Sequence, residues 1–339
     1  MVRIRFDAMN SSLVMWIRNN WFLAGLLIAI LLAWLFSEPG ARGGLLRSEI
    51  TTRLGVILIF FFQGLTLSPA ALKSGALQWR LHLFVQSFIF LVIPICTLLF
   101  LLSTSAFISE DLQTGFFFLA VLPTTIATSV AYTFLTKGNV AGAVFNSSLS
   151  NVAGILITPL WVSLWLQAGG INLALGSLLI DISMLLLAPL LAGQIVRPLC
   201  PNWLDANKKF FSTASSLIIL FLVYAAFSNS WQEGVWNREG AEVAVLAAVG
   251  SAIFLAFVLG LVVLGIRAAG FDHFDAMAAL FCAPQKTMAA GVPMANLIFE
   301  YHSGLGVILL PIMFYHLMQL LAGGVMVSRI NNARSGINV

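Results

Sequence analysis

Two apolar segments of the sequence carry polar side chains beside a proline. The first, from Leu122 to Thr136, holds Pro123 followed by six hydroxyl side chains besides the tyrosine. The second, from Ala283 to Asn296, holds Pro284 and Pro293. Proline removes a backbone donor and clashes with the preceding helical turn. We therefore predict that both segments are broken helices, with breaks at these three prolines.

A broken helix inside a membrane frees amide and carbonyl groups, which together with the half-helix dipoles can bind ions and anionic groups. An unpaired backbone group in hydrocarbon costs several kcal/mol, so a break persists only against protein or a water-filled cavity. The alternative is a proline kink whose hydroxyls bond back to their own helix. Because two segments carry such breaks in related positions, we favour a binding site over a simple kink. Its predicted lining is Thr124, Thr125, Thr128 and Ser129 on the first segment, opposite Gln285, Lys286 and Thr287 on the second.

A polar strip follows the first break. Asn146 and Ser150 are four residues apart, as are Ser147 and Asn151, so each pair shares a helix face. Asn146 and Ser147 are predicted to line the same site. The strip can equally serve helix–helix packing, since small polar residues join membrane helices.

Two charges lie clearly inside apolar segments, Asp181 and Lys286. Such residues cost at least ~2.5–3.5 kcal/mol at a helix centre and are functional candidates by default. Lys286 sits at the second break and is assigned a role there. Asp181 either handles charge or pairs with a neighbour, and His316 either packs or handles protons.

Composition indicates the class of protein that must position these residues. The chain has 339 residues, of which 60% are hydrophobic and 9% charged, against roughly 45–50% and 25% in soluble domains. About 203 apolar residues suffice for about ten helices of ~20 residues. A soluble enzyme is excluded. The sequence contains no nucleophile–base set, zinc spacing or phosphate loop, so we expect no catalytic residue, metal site, cofactor or nucleic-acid partner.

The predicted fold is all-α, polytopic and embedded in the lipid bilayer, with ten transmembrane helices. The predicted spans are 14–36, 52–72, 81–102, 115–136, 140–167, 173–196, 210–228, 243–266, 274–299 and 304–327. With ten spans, twelve Lys and Arg residues fall on the side of the termini and four on the other. The positive-inside rule then places both termini in the cytoplasm.

An internal repeat is visible in the sequence. An offset of 161 places Pro123 on Pro284, and the Gly-x-x-x-x-Pro string at 154–159 recurs at 306–311. Because five is odd, a five-span repeat is inverted, as in many secondary transporters. The predicted organisation is a cytoplasmic N-terminus (1–13), two inverted five-helix repeats (14–167 and 173–327) and a cytoplasmic tail (328–339).

Several strings together resemble the bile acid:sodium symporter family. They are the Gln-Gly-Leu-Thr-Leu-Ser string at 63–68, Pro123 with its polar followers, the Gly-Asn-Val-Ala string at 138–141, and Thr158 with Pro159. The chain is most similar to a bacterial branch grouped with an orphan ten-span vertebrate member of solute carrier family 10. The resemblance implies a panel domain and a core domain, with helices 4 and 9 broken and crossing in the core. It also implies alternating-access transport of an organic anion coupled to sodium.

The family's sodium ligands are only partly present. Thr128 and Ser129 occupy the stretch of a Ser-Asn pair, and Ser147 matches one of two helix 5 hydroxyls, while the other position is Ala143. The helix 9 Glu and nearby Gln that bridge both ion sites have no match at 284–287. Lys286 there can stand in for a cation or titrate, so sodium and protons both remain open as the coupling ion.

These features predict a secondary active transporter of the bacterial inner membrane that moves a small organic anion. The rival hypothesis is a non-transporting membrane regulator or scaffold that keeps the transporter fold.

Overall fold

The computed structural model describes residues 21–67, 77–104, 107–168, 175–240 and 242–335, and in these ranges the regular structure is helical, without a β-strand. Eight of the predicted spans each contain one helix without a non-helical break. They are α1 (Trp21–Leu35), α2 (Ser48–Thr66), α3 (Trp79–Ser87, a π-helical turn at Phe88–Val92, then Ile93–Thr104), α5 (Val140–Ala168), α6 (Leu175–Val196), α7 (Lys208–Gln232), α8 (Glu242–Ala269) and α10 (Leu305–Ser335).

The fourth and ninth predicted spans are each two half-helices. The fourth consists of α4a (Glu110–Val121) and α4b (Ala127–Leu135), and the ninth of α9a (His273–Cys282) and α9b (Met288–Ile298). Pro123 and Pro284 lie in the non-helical breaks at 122–126 and 283–287, as predicted.

Pro293 was wrongly predicted to break a helix, because it lies inside α9b. Proline in sixth position removes a single intrahelical bond, to the carbonyl of Ala289. Five helical residues precede Pro293 and five follow it, so the helix continues although this one hydrogen bond is missing.

Seven of these helices are long and apolar enough to cross a membrane: α2, α3, α5, α6, α7, α8 and α10. The chain is therefore a polytopic helical protein. In the described residues, α1 covers 15 residues and each half-helix 9 to 12, less than the ~20 of a full span. The ten-span inverted arrangement and its boundaries stay a prediction. Asp181 lies in α6, but its side chain falls outside the described part of the structure.

The helices pack in two groups. We call α1, α2, α6 and α7 the panel helices, because α2 packs on α6 and α7, and α7 packs on α1. The remainder are the core helices, in which α5 and α10 pack against the half-helices. The groups meet where α9b lies on α2 and α7, where α7 reaches α10, and where α5 touches α6.

The panel helices α2 and α6 approach each other through glycine. A Cβ at Gly193 would lie 2.8 Å from the amide nitrogen of Leu65 and 3.0 Å from the carbonyl carbon of Gly64. Beside this contact Gln194 Nε2 donates to the Leu67 carbonyl at 2.9 Å and Arg197 Nη1 donates to that of Leu65 at 2.5 Å. These bonds satisfy carbonyls at the end of α2 that have no helical partner.

The Gly193 contact predicts a stability effect. Gly193→Val should lower the free energy of unfolding by about 1–3 kcal/mol, because added methyl groups force two backbones apart. Thermal unfolding of the purified protein, followed by tryptophan fluorescence, measures this. Gly260→Val in α8 is the control, since a Cβ there meets nothing within 4 Å. Equal melting temperatures for the two variants would contradict the predicted contact.

Candidate functional site

The two helix breaks contact each other in the interior of the core helices. The amide of Thr287 donates a hydrogen bond of 2.9 Å to the carbonyl of Pro123, so each break supplies one partner. Residues 121–125 and 281–288 are buried. The predicted meeting of the fourth and ninth segments is therefore present in the structure, at the residues predicted to hold the site.

Lys286 is fully buried, and its ammonium group bonds to three main-chain oxygens. Nζ donates to the carbonyls of Ala120 at 2.6 Å, Leu122 at 2.9 Å and Ile89 at 3.4 Å. Two of these carbonyls end α4a, where a helix leaves its last carbonyls unpaired and carries the negative end of its dipole. An ammonium has three protons to donate, and all three are used. In its protonated form Lys286 thus caps α4a.

A cluster of five side-chain oxygens forms around Gln285, the residue before Lys286. Gln285 Oε1 accepts hydrogen bonds from Thr125 at 2.6 Å, from Ser129 at 3.2 Å and from Thr128. The hydroxyl of Thr124 is 3.2 Å from that of Ser129. The structure therefore brings the four predicted hydroxyls of the first break together with Gln285 from the second.

The oxygen cluster differs from the sodium site that the family resemblance implies. All five oxygens are neutral hydroxyl or amide groups, and the residue after Gln285 is the buried Lys286. The described residues contain no group of three or more His, Cys, Asp or Glu side chains placed to hold a metal. These residues therefore do not fit a sodium site built around a carboxylate.

Helix α5 satisfies the backbone of the first break. Asn151 Nδ2 donates to the Thr124 carbonyl at 2.8 Å, Ser150 Oγ accepts from the Thr124 amide at 3.4 Å, and Thr158 Oγ1 donates to the Val121 carbonyl at 2.8 Å. These contacts show that the polar face of α5 supports the break directly.

The two α5 residues predicted to line the site bond elsewhere. Asn146 bonds within α5 to the Gly142 carbonyl and accepts from Gln86 of α3 at 3.2 Å, while Ser147 bonds back to the Ala143 carbonyl. In the described hydrogen bonds, neither side chain reaches the hydroxyl cluster. These bonds are of the helix-packing kind that was the alternative for this strip, and lining of the site by Asn146 and Ser147 stays a prediction.

Helix α10 holds the backbone of the second break through residues that the sequence analysis missed. Gln319 accepts from the Lys286 amide at 2.8 Å and donates to its carbonyl at 2.9 Å, and Tyr315 donates to the Pro284 carbonyl at 2.6 Å. The predicted residue His316 lies 3.0 Å from Gln319 Nε2 and so helps to position it. A glutamine four residues after a tyrosine, on one face of an apolar segment, was the signal available in the sequence.

The half-helices α4a and α9b are more deeply buried than α4b. Every residue of α4a from Gly115 to Val121 is buried, and so is α9b from Met288 to Leu297 except Ala289. On α4b, by contrast, four of nine residues are exposed. Arg334, near the end of α10, donates to the carbonyl that ends α4b, at Thr136. The exposed residues of α4b are all apolar, and α4b ends at the end of the bundle where α10 ends, which we call the C-terminal face.

Comparison with known proteins shows which family this sequence matches. The profile of the SBF-like CPA transporter family matches residues 20–332. The Escherichia coli protein named "Putative symporter YfeH" is 34% identical over 91% of this chain and 92% of its own length. Sodium/bile acid cotransporter 7 of Danio rerio is 32% identical over 96% of this chain and 97% of its own. The Rattus norvegicus protein of that name is 32% identical over 93% and 94%.

The contacts of Lys286 predict a stability effect that a free cation can reverse. Lys286→Ala should strongly lower the melting temperature, because a hydrogen bond to a charged group contributes about 1.5–3 kcal/mol and three carbonyls lose their donor. Propylammonium, which matches the deleted atoms, should restore part of the loss.

Two controls accompany this experiment. Lys286→Met fills much of the side-chain volume without the charge and should not respond to propylammonium. Lys209→Ala removes an exposed lysine and should melt like the parent. A Lys286→Ala variant with the parent's melting temperature, or equal responses of the Ala and Met variants, would contradict the capping role.

Proposed function

The chain belongs to the SBF-like CPA transporter family, and on this basis we propose that it is a secondary active transporter that moves a small organic anion by alternating access. The proposal includes ten spans in two inverted repeats, a bacterial inner membrane and both termini in the cytoplasm. The positive charge on the side of the termini supports this orientation.

One observation carries the proposal: polar side chains from two broken helices converge inside an apolar helical protein. A cluster such as Thr125, Thr128, Ser129 and Gln285 is costly to bury. In secondary transporters, interrupted helices of this kind form the substrate site near the midplane.

The first turns of α4b and α9b support an anionic substrate. Both half-helices begin at the crossing, and each has an alanine in its first two positions, Ala127 and Ala289, that protein leaves exposed. The first amides of a helix lack helical partners and carry the positive end of the dipole, which favours anionic groups. Carboxylate or sulfonate groups therefore match these two helix starts.

For the coupling ion, our proposal does not follow the names of the relatives. Two relatives are named sodium/bile acid cotransporters, from which we carry over only the class of organic anion. Lys286 places a covalently attached cation at the crossing, which weighs against a sodium ion beside it. We propose transport coupled to a cation, and an experiment with sodium and pH as variables decides between sodium and protons.

The test begins with thermal unfolding in the presence of a panel of organic anions, with and without sodium and at several pH values. A ligand at 100 times its dissociation constant should stabilise the protein by about 2.7 kcal/mol. Uptake of the anion that stabilises best is then measured in proteoliposomes under the same conditions.

A matched pair of variants ties any response to the cluster. Thr128→Val removes a clustered hydroxyl without changing side-chain shape and should weaken anion binding at least tenfold. Thr51→Val removes a hydroxyl that bonds only to nearby carbonyls at the start of α2 and should bind like the parent. If no anion stabilises the protein and none is taken up, the proposal fails in favour of a non-transporting regulator or scaffold.

A further inference from the structure

The connection between the core helices α9b and α10, residues 299–304, contacts the panel helices α2 and α7. It lies at the end of the bundle opposite the C-terminal face, because α10 runs 31 residues from there to Ser335, or about 46 Å at ~1.5 Å per residue. We call this end the far face.

A bidentate ion pair connects the two groups on the far face. Arg53 of α2 donates through Nε to Glu300 Oε1 at 3.0 Å and through Nη2 to Oε2 at 2.8 Å. The Glu300 side chain is 17% exposed and that of Arg53 is 50% exposed, so the pair lies at the surface with its carboxylate partly buried. Two parallel bonds between a guanidinium and a carboxylate fix orientation as well as distance.

A second contact lies beside this ion pair. Ser230 near the end of α7 is fully buried, donates to the Ser303 carbonyl at 2.8 Å and accepts from the Gly306 amide at 2.9 Å. A Cβ at Gly306 would lie 2.9 Å from Ser230 Oγ, so the glycine permits this close approach. Panel helix α2 is thus bonded to the connection 299–304, and α7 is bonded both to the connection and to the first turn of α10.

The C-terminal face has a different arrangement. The carbonyl that ends α4b, at Thr136, accepts from His273 at the start of α9a and from Arg334 of α10, each at 3.1 Å. Both donors are core residues. The bonds at this end hold the core helices together and leave the panel helices unattached to α4b through them.

We propose that Arg53, Glu300 and Ser230 form a latch that holds the far face closed. The latch holds the buried half-helix α9b against α2 and α7. Its release lets the core helices move, so that the far face opens and panel helices cover α4b and α9a. This inference rests on the proposed transport function and adds the device that keeps one side closed.

Hydrogen–deuterium exchange of the complete protein in lipid nanodiscs tests the latch without a known substrate. Arg53→Gln should raise amide exchange at least several-fold in α9b and in residues 299–308. The same variant should slow exchange in α4b and α9a, because opening one side covers the other. Ser230→Ala, which removes the second contact, should shift both regions in the same directions.

Two controls separate release of the latch from general loosening. Arg47→Gln removes an exposed arginine six residues before Arg53 and should exchange like the parent. The double variant Arg53→Glu with Glu300→Arg restores an ion pair of reversed polarity and should return both regions toward the parent pattern.

The outcomes distinguish the latch from the proposed transport. Faster exchange throughout the protein, or a change confined to residues 299–304, overturns the latch even if anion uptake is measured. Opposite changes in the two regions support it even if no anion is taken up, in which case the chain changes conformation without transporting.

Discussion

The structure depends on satisfying the main-chain polar groups that two helix breaks release inside an apolar protein. An unpaired amide or carbonyl costs several kcal/mol in hydrocarbon, and the stretches 122–126 and 283–287 each expose several of them. Side chains satisfy them: Lys286 bonds to the last carbonyls of α4a, Asn151 to Thr124, and Gln319 to both backbone groups of residue 286. Without these donors and acceptors neither break would persist, and the oxygen cluster would not form.

This requirement also decides which parts of the protein can move. Helix α5 completes the first break and helix α10 completes the second, while the Thr287 amide joins the breaks to each other. Bending within this unit would cost buried hydrogen bonds. The interfaces of α9b with α2 and α7 are different, because sliding there exchanges one packed surface for another. Any large movement should therefore displace the core helices as a body relative to the panel helices.

The sequence predicted the breaks well, because proline and clustered hydroxyls are local signals. It misjudged Pro293, since the position of a proline within a helix, and not its presence, decides whether the helix continues. It correctly predicted that Lys286 lies at the second break, but it predicted that the side chain lies opposite the hydroxyl cluster. The ammonium instead bonds to carbonyls of α3 and α4a. Backbone acceptors leave no trace in residue types, so this partner set was not predictable.

The support from α10 escaped sequence analysis for a related reason. Gln319 is one polar residue in a long apolar helix, and only the fold places it against residue 286, which is 33 positions away. Asn146 and Ser147 illustrate the converse difficulty. Their spacing indicated a shared face correctly, but α3 and their own helix occupy that face, and no local pattern distinguishes a face that meets a helix from one that meets a cavity.

The lysine at the crossing, Lys286, constrains any coupled cycle. A sodium ion can bind on one side and leave on the other, whereas an ammonium on a lysine side chain can give up only a proton. A neutral amine has two protons to donate instead of three, so losing one would leave a carbonyl among Ala120, Leu122 and Ile89 without its donor. Protonation of Lys286 is thereby linked to the end of α4a, which lies on the covered side of the crossing. If transport is coupled to protons, release of a proton from Lys286 would therefore change the hydrogen bonding at the end of α4a.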